Sequence, residues 1–250
     1  MGHQDSHKMG RLIIIRHGES EFNQEDRFSG WIDTPLTEKG RQQAMDAGKI
    51  IRDSQFVPDA VYTTRLSRAR DTTKAILNAL GNPKKPMIER DELLERHYGA
   101  LTGLKKEETR KTLKDEPYIT DPYGVAPPPI TPDNPHHPDN PSKGLKVIGF
   151  PKNGKGSESI KDVVDRVRPV WMNDILPHLQ RGENVLISAH ANTLRALNMI
   201  VENLPPEKLK ATKIPNATPV EISIKSAPGS KEWTFEGRKI LDGKGNGQVR

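Results

Sequence analysis

The sequence predicts an α/β fold, a three-layer sandwich with a mostly parallel central sheet and helices on both faces. Three observations carry this. Short apolar runs rich in β-branched residues, Leu12-Ile13-Ile14-Ile15, Ala60-Val61-Tyr62 and Val185-Leu186-Ile187, are too short for helices and read as strands buried on both faces. Strands alternate with stretches of helical apolar spacing, as parallel sheets with crossover helices require. Each of these strands breaks off in a polar turn bearing a cation or an imidazole: Arg16-His17-Gly18, Thr64-Arg65-Leu66-Ser67-Arg68 and His190-Ala191-Asn192. The carboxyl ends of strands are where open α/β sheets bind their ligands.

Length and composition narrow the function. The chain has 250 residues with 33% hydrophobic and 29% charged residues, enough for one large α/β domain. No apolar run approaches the roughly 20 residues of a membrane span, so no membrane partner is read. The absence of Cys excludes a disulfide framework, a thiol nucleophile and a thiolate metal site, and fits a cytoplasmic location. The net charge of +6 favours anionic partners. Its basic residues are interleaved with acids and aromatics make up only 5%, which argues against nucleic acid and for a small phosphorylated substrate.

Residues 1–10 are polar and are expected to form a disordered leader. Residues 11–236 form a single catalytic domain, and 237–250 a flexible basic tail. After the first strand, the loop Glu21 to Thr34 holds Phe28-Ser29-Gly30-Trp31. Its hydroxyl and small Gly suit an anion pocket, and its Trp suits a buried anchor. Thr37 is placed to cap a helix whose apolar residues Ala44, Ala47, Ile50 and Ile51 share a face. The second strand, Asp59 to Thr64, leads into a helix through Leu80. Arg68 lies at that helix's start, where free N–H groups add to the attraction for an anion.

Leu93 to Gly103 places a carboxylate, a guanidinium, an imidazole and a phenol in a row, Glu95-Arg96-His97-Tyr98-Gly99. A carboxylate pressed into a partly buried site can carry protons, and Glu95 is the candidate; His97 is read as structural. Lys105 to Glu116 is an exposed charged helix. The proline-rich stretch from about 117 to 156 is an irregular insertion of the kind that serves as a lid. Its His136-His137 pair has no acid or Cys at ligand spacing, so no metal site is read. Ser157 is expected to cap the next helix, which carries Val163, Val164, Val167, Val170, Trp171 and Ile175 on one face and a kink at Pro169. The third strand and its helix, Thr193 to Asn203, follow. The last recognisable strand is Val220 to Ile224.

Two imidazoles, two guanidiniums and a carboxylate make a set suited to phosphoryl transfer without a metal: a nucleophile, cations to absorb charge, and a proton carrier. The motifs Arg16-His17-Gly18-Glu19-Ser20, Ser20-Glu21-Phe22-Asn23, Phe28-Ser29-Gly30-Trp31, Tyr62-Thr63-Thr64-Arg65-Leu66-Ser67-Arg68-Ala69, Glu95-Arg96-His97-Tyr98-Gly99, Pro127-Pro128-Pro129-Ile130 and Ile214-Pro215-Asn216-Ala217-Thr218-Pro219 together resemble the histidine phosphatase superfamily. Within it they resemble the 2,3-bisphosphoglycerate-dependent phosphoglycerate mutases, over roughly residues 11 to 225. The resemblance implies a phosphoglycerate mutase-like fold and the interconversion of 3- and 2-phosphoglycerate in glycolysis and gluconeogenesis. It implies 2,3-bisphosphoglycerate as primer, no metal, and a homo-oligomer, dimer or tetramer. Carried over, His17 is the phosphorylated nucleophile, with Arg16, Asn23, Arg68 and His190 around the phosphoryl group and Glu95 shuttling protons. Ser20, Ser29, Gly30, Arg96, Tyr98, Lys106, Ala191 and Asn192 hold the substrate. The chain departs from the family twice. The family's Arg-Arg pair before Pro-Pro-Pro is absent from Ile119-Thr120-Asp121-Pro122-Tyr123-Gly124, and the Gly after the second His is Ala191. A phosphatase of the same fold acting on a small phosphate ester is therefore the alternative reading. A non-catalytic phosphate-binding protein is another, opposed by the intact His17, Glu95 and His190. The candidates to replace the Arg pair are Lys143, Lys146, Lys152 and Lys155.

Overall fold

The computed structural model describes residues 7–244. The first strand, β1 (Leu12–Arg16), is buried at four successive positions. Its even and odd side chains point to opposite faces of the sheet, and both faces are covered. Leu12 and Ile14 join a core with Val163, Val167, Leu194 and Leu197; Ile13 and Ile15 join a second core with Ala47, Ile51, Ile76 and Leu77.

Beyond β1, a single helical turn α1 (Glu21–Gln24) is capped by Ser20, whose side chain accepts from Asn23 N while Asn23 answers with its own side chain. Then comes α2 (Glu38–Asp53), capped by Thr37 as expected, through a 3.0 Å bond from Gly40 N. β2 (Ala60–Thr63), α3 (Ser67–Ala79) and the two-residue strand β3 (Ile88–Glu89) follow. The helices α4 (Lys106–Thr112) and α5 (Pro117–Thr120) are short.

The proline-rich insertion is irregular from the end of α5 to residue 159, yet it is tied down. Ile130 and Val147 are buried with Phe22, Trp31, Ile32, Leu66 and Leu94, and Ile148 N bonds to Trp31 O at 2.9 Å. The helix α6 (Ile160–Val170) starts two residues later than expected. Ser159, not Ser157, is its cap, reciprocated by Asp162, while Ser157 is buried with its hydroxyl on Pro127 O. Pro169 lacks the N–H that would bond one turn back, and the chain widens into a π-helical turn at Trp171–Ile175 before α7 (Leu176–Gln180).

The strand β4 (Val185–Ala189), α8 (Ala191–Glu202), β5 (Val220–Lys225) and β6 (Thr234–Ile240) complete the fold. The sheet order is β3-β2-β4-β1-β5-β6, with β5 antiparallel to both its neighbours. The sheet therefore extends to Ile240, past the boundary expected at 236. At the other end, Gly10 N bonds to Leu179 O at 2.8 Å and Met9 packs on the core, so the ordered chain begins before residue 11. Residues 1–6 and 245–250 of the expected leader and tail lie outside the described residues. Among the described residues, no helix is long and apolar enough to cross a membrane.

Candidate active site

Register places the two imidazoles side by side. In the parallel pair β1–β4, Arg16 stands opposite Ala189, so the next residue of each strand is a histidine. Their ring centroids are 5.2 Å apart. β1 and β2 do not touch: β4 lies between them. Arg68 still reaches the site because it sits in the first turn of α3, which follows β2. Gly18 is held against α2, where a Cβ would lie 2.3 Å from Gly40 O, and this close approach fixes the turn after His17.

The tautomer of His17 follows from its neighbour. Its Nδ1 is 2.7 Å from the Gly18 carbonyl, which only accepts, so Nδ1 carries the proton and Nε2 keeps a free lone pair. Burial, then the Arg68 and Arg16 guanidiniums, push the imidazole well below its usual pKa; the Gly18 carbonyl opposes them. His190 is fully buried, and burial, Arg68, His17 and Arg16 lower its pKa in the same way. Its Nε2 is 2.9 Å from the Thr64 hydroxyl, and its Nδ1 has no partner among the described residues.

A cavity of about 140 Å³ opens in front of His17. Of the expected residues, Arg16, His17, Asn23, Ser29, Gly30, Arg68, Glu95, Tyr98, Lys106, Ala191 and Asn192 line it. His190 does not; it lies behind, against the ring of His17. Ser20 does not line it either: it is wholly buried as the cap of α1, and its contribution is to orient Asn23. Arg96 lines an adjoining outer chamber of about 440 Å³.

Arg68 is 1% exposed and donates to Ile32 O at 2.6 Å and Gly30 O at 2.8 Å. Burial lowers its pKa to about 10, so it stays charged at neutral pH. Arg16 donates to Ile214 O at 2.9 Å. The Nε atoms of both, and one terminal nitrogen of Arg96, are buried without a partner among the described residues. Buried unsatisfied donors concentrated at one place are a signature of a binding site for an acceptor-rich ligand.

Glu95 is 7% exposed, and one of its carboxylate oxygens accepts from Arg96 N at 2.7 Å and Asn192 N at 3.2 Å. Its backbone carbonyl is held by Trp31 Nε1 at 2.5 Å and Arg166 at 3.0 Å. Trp31 is thus the anchor its loop suggested. Tyr98 OH receives Asn192 Nδ2 at 2.7 Å, and burial raises its pKa ahead of the nearby Glu95. His97 is structural as read: it is 0% exposed, packs on Trp31, and burial lowers its pKa to about 4.

Two lining residues were not expected, Arg110 and Arg195. Their spacings carry a usable signal: Arg110 is four residues after Lys106 and Arg195 three after Asn192, so each shares a helix face with a residue already assigned. The four lysines considered as substitutes for the Arg pair line neither chamber. Lys146 is bound to the carbonyls of Pro135 and Asn140, and Lys155 to Asp162.

Comparisons with known proteins find relatives over most of the chain. The chain is 36% identical over 231 residues, 91% of its length and 95% of the relative's, to a 2,3-bisphosphoglycerate-dependent phosphoglycerate mutase of Pelagibacter ubique. It is 36% identical over 220 residues, 87% of each chain, to the enzyme of that name from Corynebacterium diphtheriae. Among solved structures, a mycobacterial glucosyl-3-phosphoglycerate phosphatase superposes with a TM-score of 0.67 at 23% identity, covering 91% of this chain and 97% of that one. The alpha-ribazole phosphatase of Shigella flexneri gives 0.68 at 21%, covering 92% and 95%; at these identities the likeness concerns the fold. The model of the histidine phosphatase superfamily (branch 1) matches residues 12–131 and 130–234, and with paired imidazoles at adjacent strand ends the chain belongs to that superfamily.

Proposed function

We propose that the chain interconverts 3- and 2-phosphoglycerate through a phosphohistidine at His17. The observation that carries this is the free Nε2 of a neutral, buried His17 facing a cavity lined by Arg16, Arg68 and Glu95, in a chain 36% identical to phosphoglycerate mutases over most of its length. In the reaction, Nε2 attacks phosphorus in line as the bond to the donor oxygen breaks. Glu95 gives the departing oxygen its proton. The Nδ1–H···O bond to Gly18 supports the positive charge that develops on the ring, and Arg16 and Arg68 take up charge on the phosphoryl oxygens. Transfer back to the other hydroxyl of the glycerate reverses these movements, with Glu95 taking the proton.

Five cations and a single carboxylate line the cavity, a donor set that fits a bisphosphorylated primer. Such a primer supplies the first phosphoryl group. A cytoplasmic location and a homo-oligomeric state, dimer or tetramer, belong to the same reading.

A second reading, a phosphatase of a small phosphate ester, is favoured by one feature: the segment from Ile119 to Gly124 supplies no cation to the site. One assay separates the readings. Incubation with 3-phosphoglycerate is expected to yield 2-phosphoglycerate, stimulated by 2,3-bisphosphoglycerate and unaffected by chelator. Accumulation of inorganic phosphate alone makes the chain a phosphatase; no product at all, with binding retained, makes it a binding protein.

A further inference from the structure

The inner cavity holds more positive charge than one phosphoryl group requires. Arg16 and Arg68 line the inner cavity with His17 and have no part in the outer chamber, whereas Arg110 and Arg195 line both. The outer chamber's wall from α5 and the turn after it consists of Tyr118, Ile119 and Pro122, none of them a cation. Asp121 stays out of it, exposed, with one carboxylate oxygen accepting from Gly124 N at 3.0 Å. The place where the related mutases carry an Arg pair is therefore neutral here, and the outer chamber's cations are Arg96 of the loop after Glu95, Arg110 of α4 and Arg195 of α8.

Arg195 is held in place by its Nε on Thr212 O and one terminal nitrogen on Asn192 Oδ1, both at 3.0 Å, which leaves its other terminal nitrogen to bind. Arg110 is turned toward the same space: its charge helps lower the pKa of Lys106, after burial and Arg16. On the far side of α4, Lys111 is paired with Glu107 at 2.8 Å. Among the described residues, Arg110 has no carboxylate within ion-pair distance.

We infer that Arg110 and Arg195 bind the anionic end of the substrate remote from the phosphoryl group in transfer, and so take the place of the missing Arg pair. The inference rests on the mutase reading for its substrate, a phosphate ester with a carboxylate or second phosphate a short carbon chain away. The wall from α5 offers no charge, so recognition of that end falls to Arg110 and Arg195 together with Arg96, which also lines the outer chamber.

The test uses the full chain with two substrates, 3-phosphoglycerate and phenyl phosphate, whose remote end is neutral. In Arg110→Ala the kcat/KM ratio of the first over the second is expected to fall about tenfold, the loss of one charge-assisted hydrogen bond. KM for 3-phosphoglycerate carries the change, and Arg110→Lys recovers part of it. Lys111→Ala, on the other side of the helix, is expected to leave the ratio unaltered. An unchanged ratio in Arg110→Ala overturns the assignment, including when 2-phosphoglycerate is still formed. A falling ratio in a chain that releases only inorganic phosphate supports the clamp and overturns the mutase reading alone.

Discussion

His17 is a nucleophile because of three local conditions: a carbonyl on Nδ1, burial, and flanking guanidiniums. Burial and the guanidiniums favour the neutral ring, which alone has a lone pair on Nε2; the carbonyl opposes them but holds the proton on Nδ1, so that lone pair is the free one. Protonation as pH falls removes that lone pair, so a lowered pKa moves the acid limb of kcat/KM to more acidic pH. The limb is expected below pH 6.5, the ordinary value for imidazole; a midpoint at or above 6.5 in a pH–rate profile refutes this account of the site. His17→Ala is expected to abolish acid-labile phosphorylation of the protein, read by labelling. Glu95→Gln keeps the shape but cannot move a proton, and kcat is expected to fall by about 10² to 10⁴. At this scale the sequence was most legible where a strand end or a compact motif concentrates chemistry, as in Arg16-His17-Gly18 and Glu95-Arg96-His97-Tyr98-Gly99. It was least legible for residues whose position depends on a helix face meeting a distant wall. Arg110 and Arg195 are of that kind. Ser20 is the opposite case, a motif residue whose hydroxyl is consumed by its own helix cap.

Among the elements, α6 has a task that its apolar face does not reveal. Glu158, just before it, is 2% exposed and forms an ion pair with Arg166 at 2.7 Å. Arg166 also donates to the carbonyls of Leu94 and Glu95, and Glu158 accepts from His97 N at 2.8 Å. The loop that carries the proton shuttle is thus pinned from behind. Arg166→Met leaves Glu158 buried without its partner and is expected to cost about 3–5 kcal/mol in denaturant unfolding. The double change Glu158→Gln with Arg166→Met is expected to recover much of that stability while kcat stays low with KM little altered, which marks Arg166 as a positioning residue. A double variant with normal kcat removes that role. The helices and buried strands were readable from periodicity and runs. β6 was not: Gly237, Arg238 and Lys239 interrupt its apolar pattern, and its pairing with β5 carries a register shift at Ser223–Ile224. The capping of α6 by Ser159 was misplaced by two residues because Ser157 offers the same hydroxyl; both serines are buried, and what distinguishes Ser159 is its reciprocal bond with Asp162 three residues on.

For the molecule as a whole, three imidazoles, His17, His97 and His190, are buried with lowered pKa values. The unfolded chain takes up their protons below about pH 6.5, whereas the folded chain resists until lower pH, about 4 for His97. Their contribution to stability is therefore intact above pH 6.5 and is lost as pH falls below it, by up to about 1.4 kcal/mol per pH unit for each group. Thermal unfolding at pH 7.5, 6 and 5 without phosphate checks the sign, and a Tm that rises on acidification contradicts it. The three-layer architecture was legible from the alternation of runs and helical stretches. The order of strands was not, because similar apolar runs do not say which neighbours which, and β1 and β2 are separated by β4.

That separation bears on how the protein is made. The strands from the first half of the chain are β1, β2 and β3, and β4 from the second half is inserted between β2 and β1. As the chain leaves the ribosome, the strand of the nucleophile has no parallel neighbour until Val185–Ala189 has been synthesised. Closing that gap joins segments as far apart as Arg11 and Asn184, 173 residues in sequence. Formation of the sheet and assembly of the site are one late, non-local event. A nascent chain truncated before β4 also lacks β5, so it exposes three unpaired strand edges, both of β1 and one of β2, and is expected to need chaperones rather than fold into a partial enzyme.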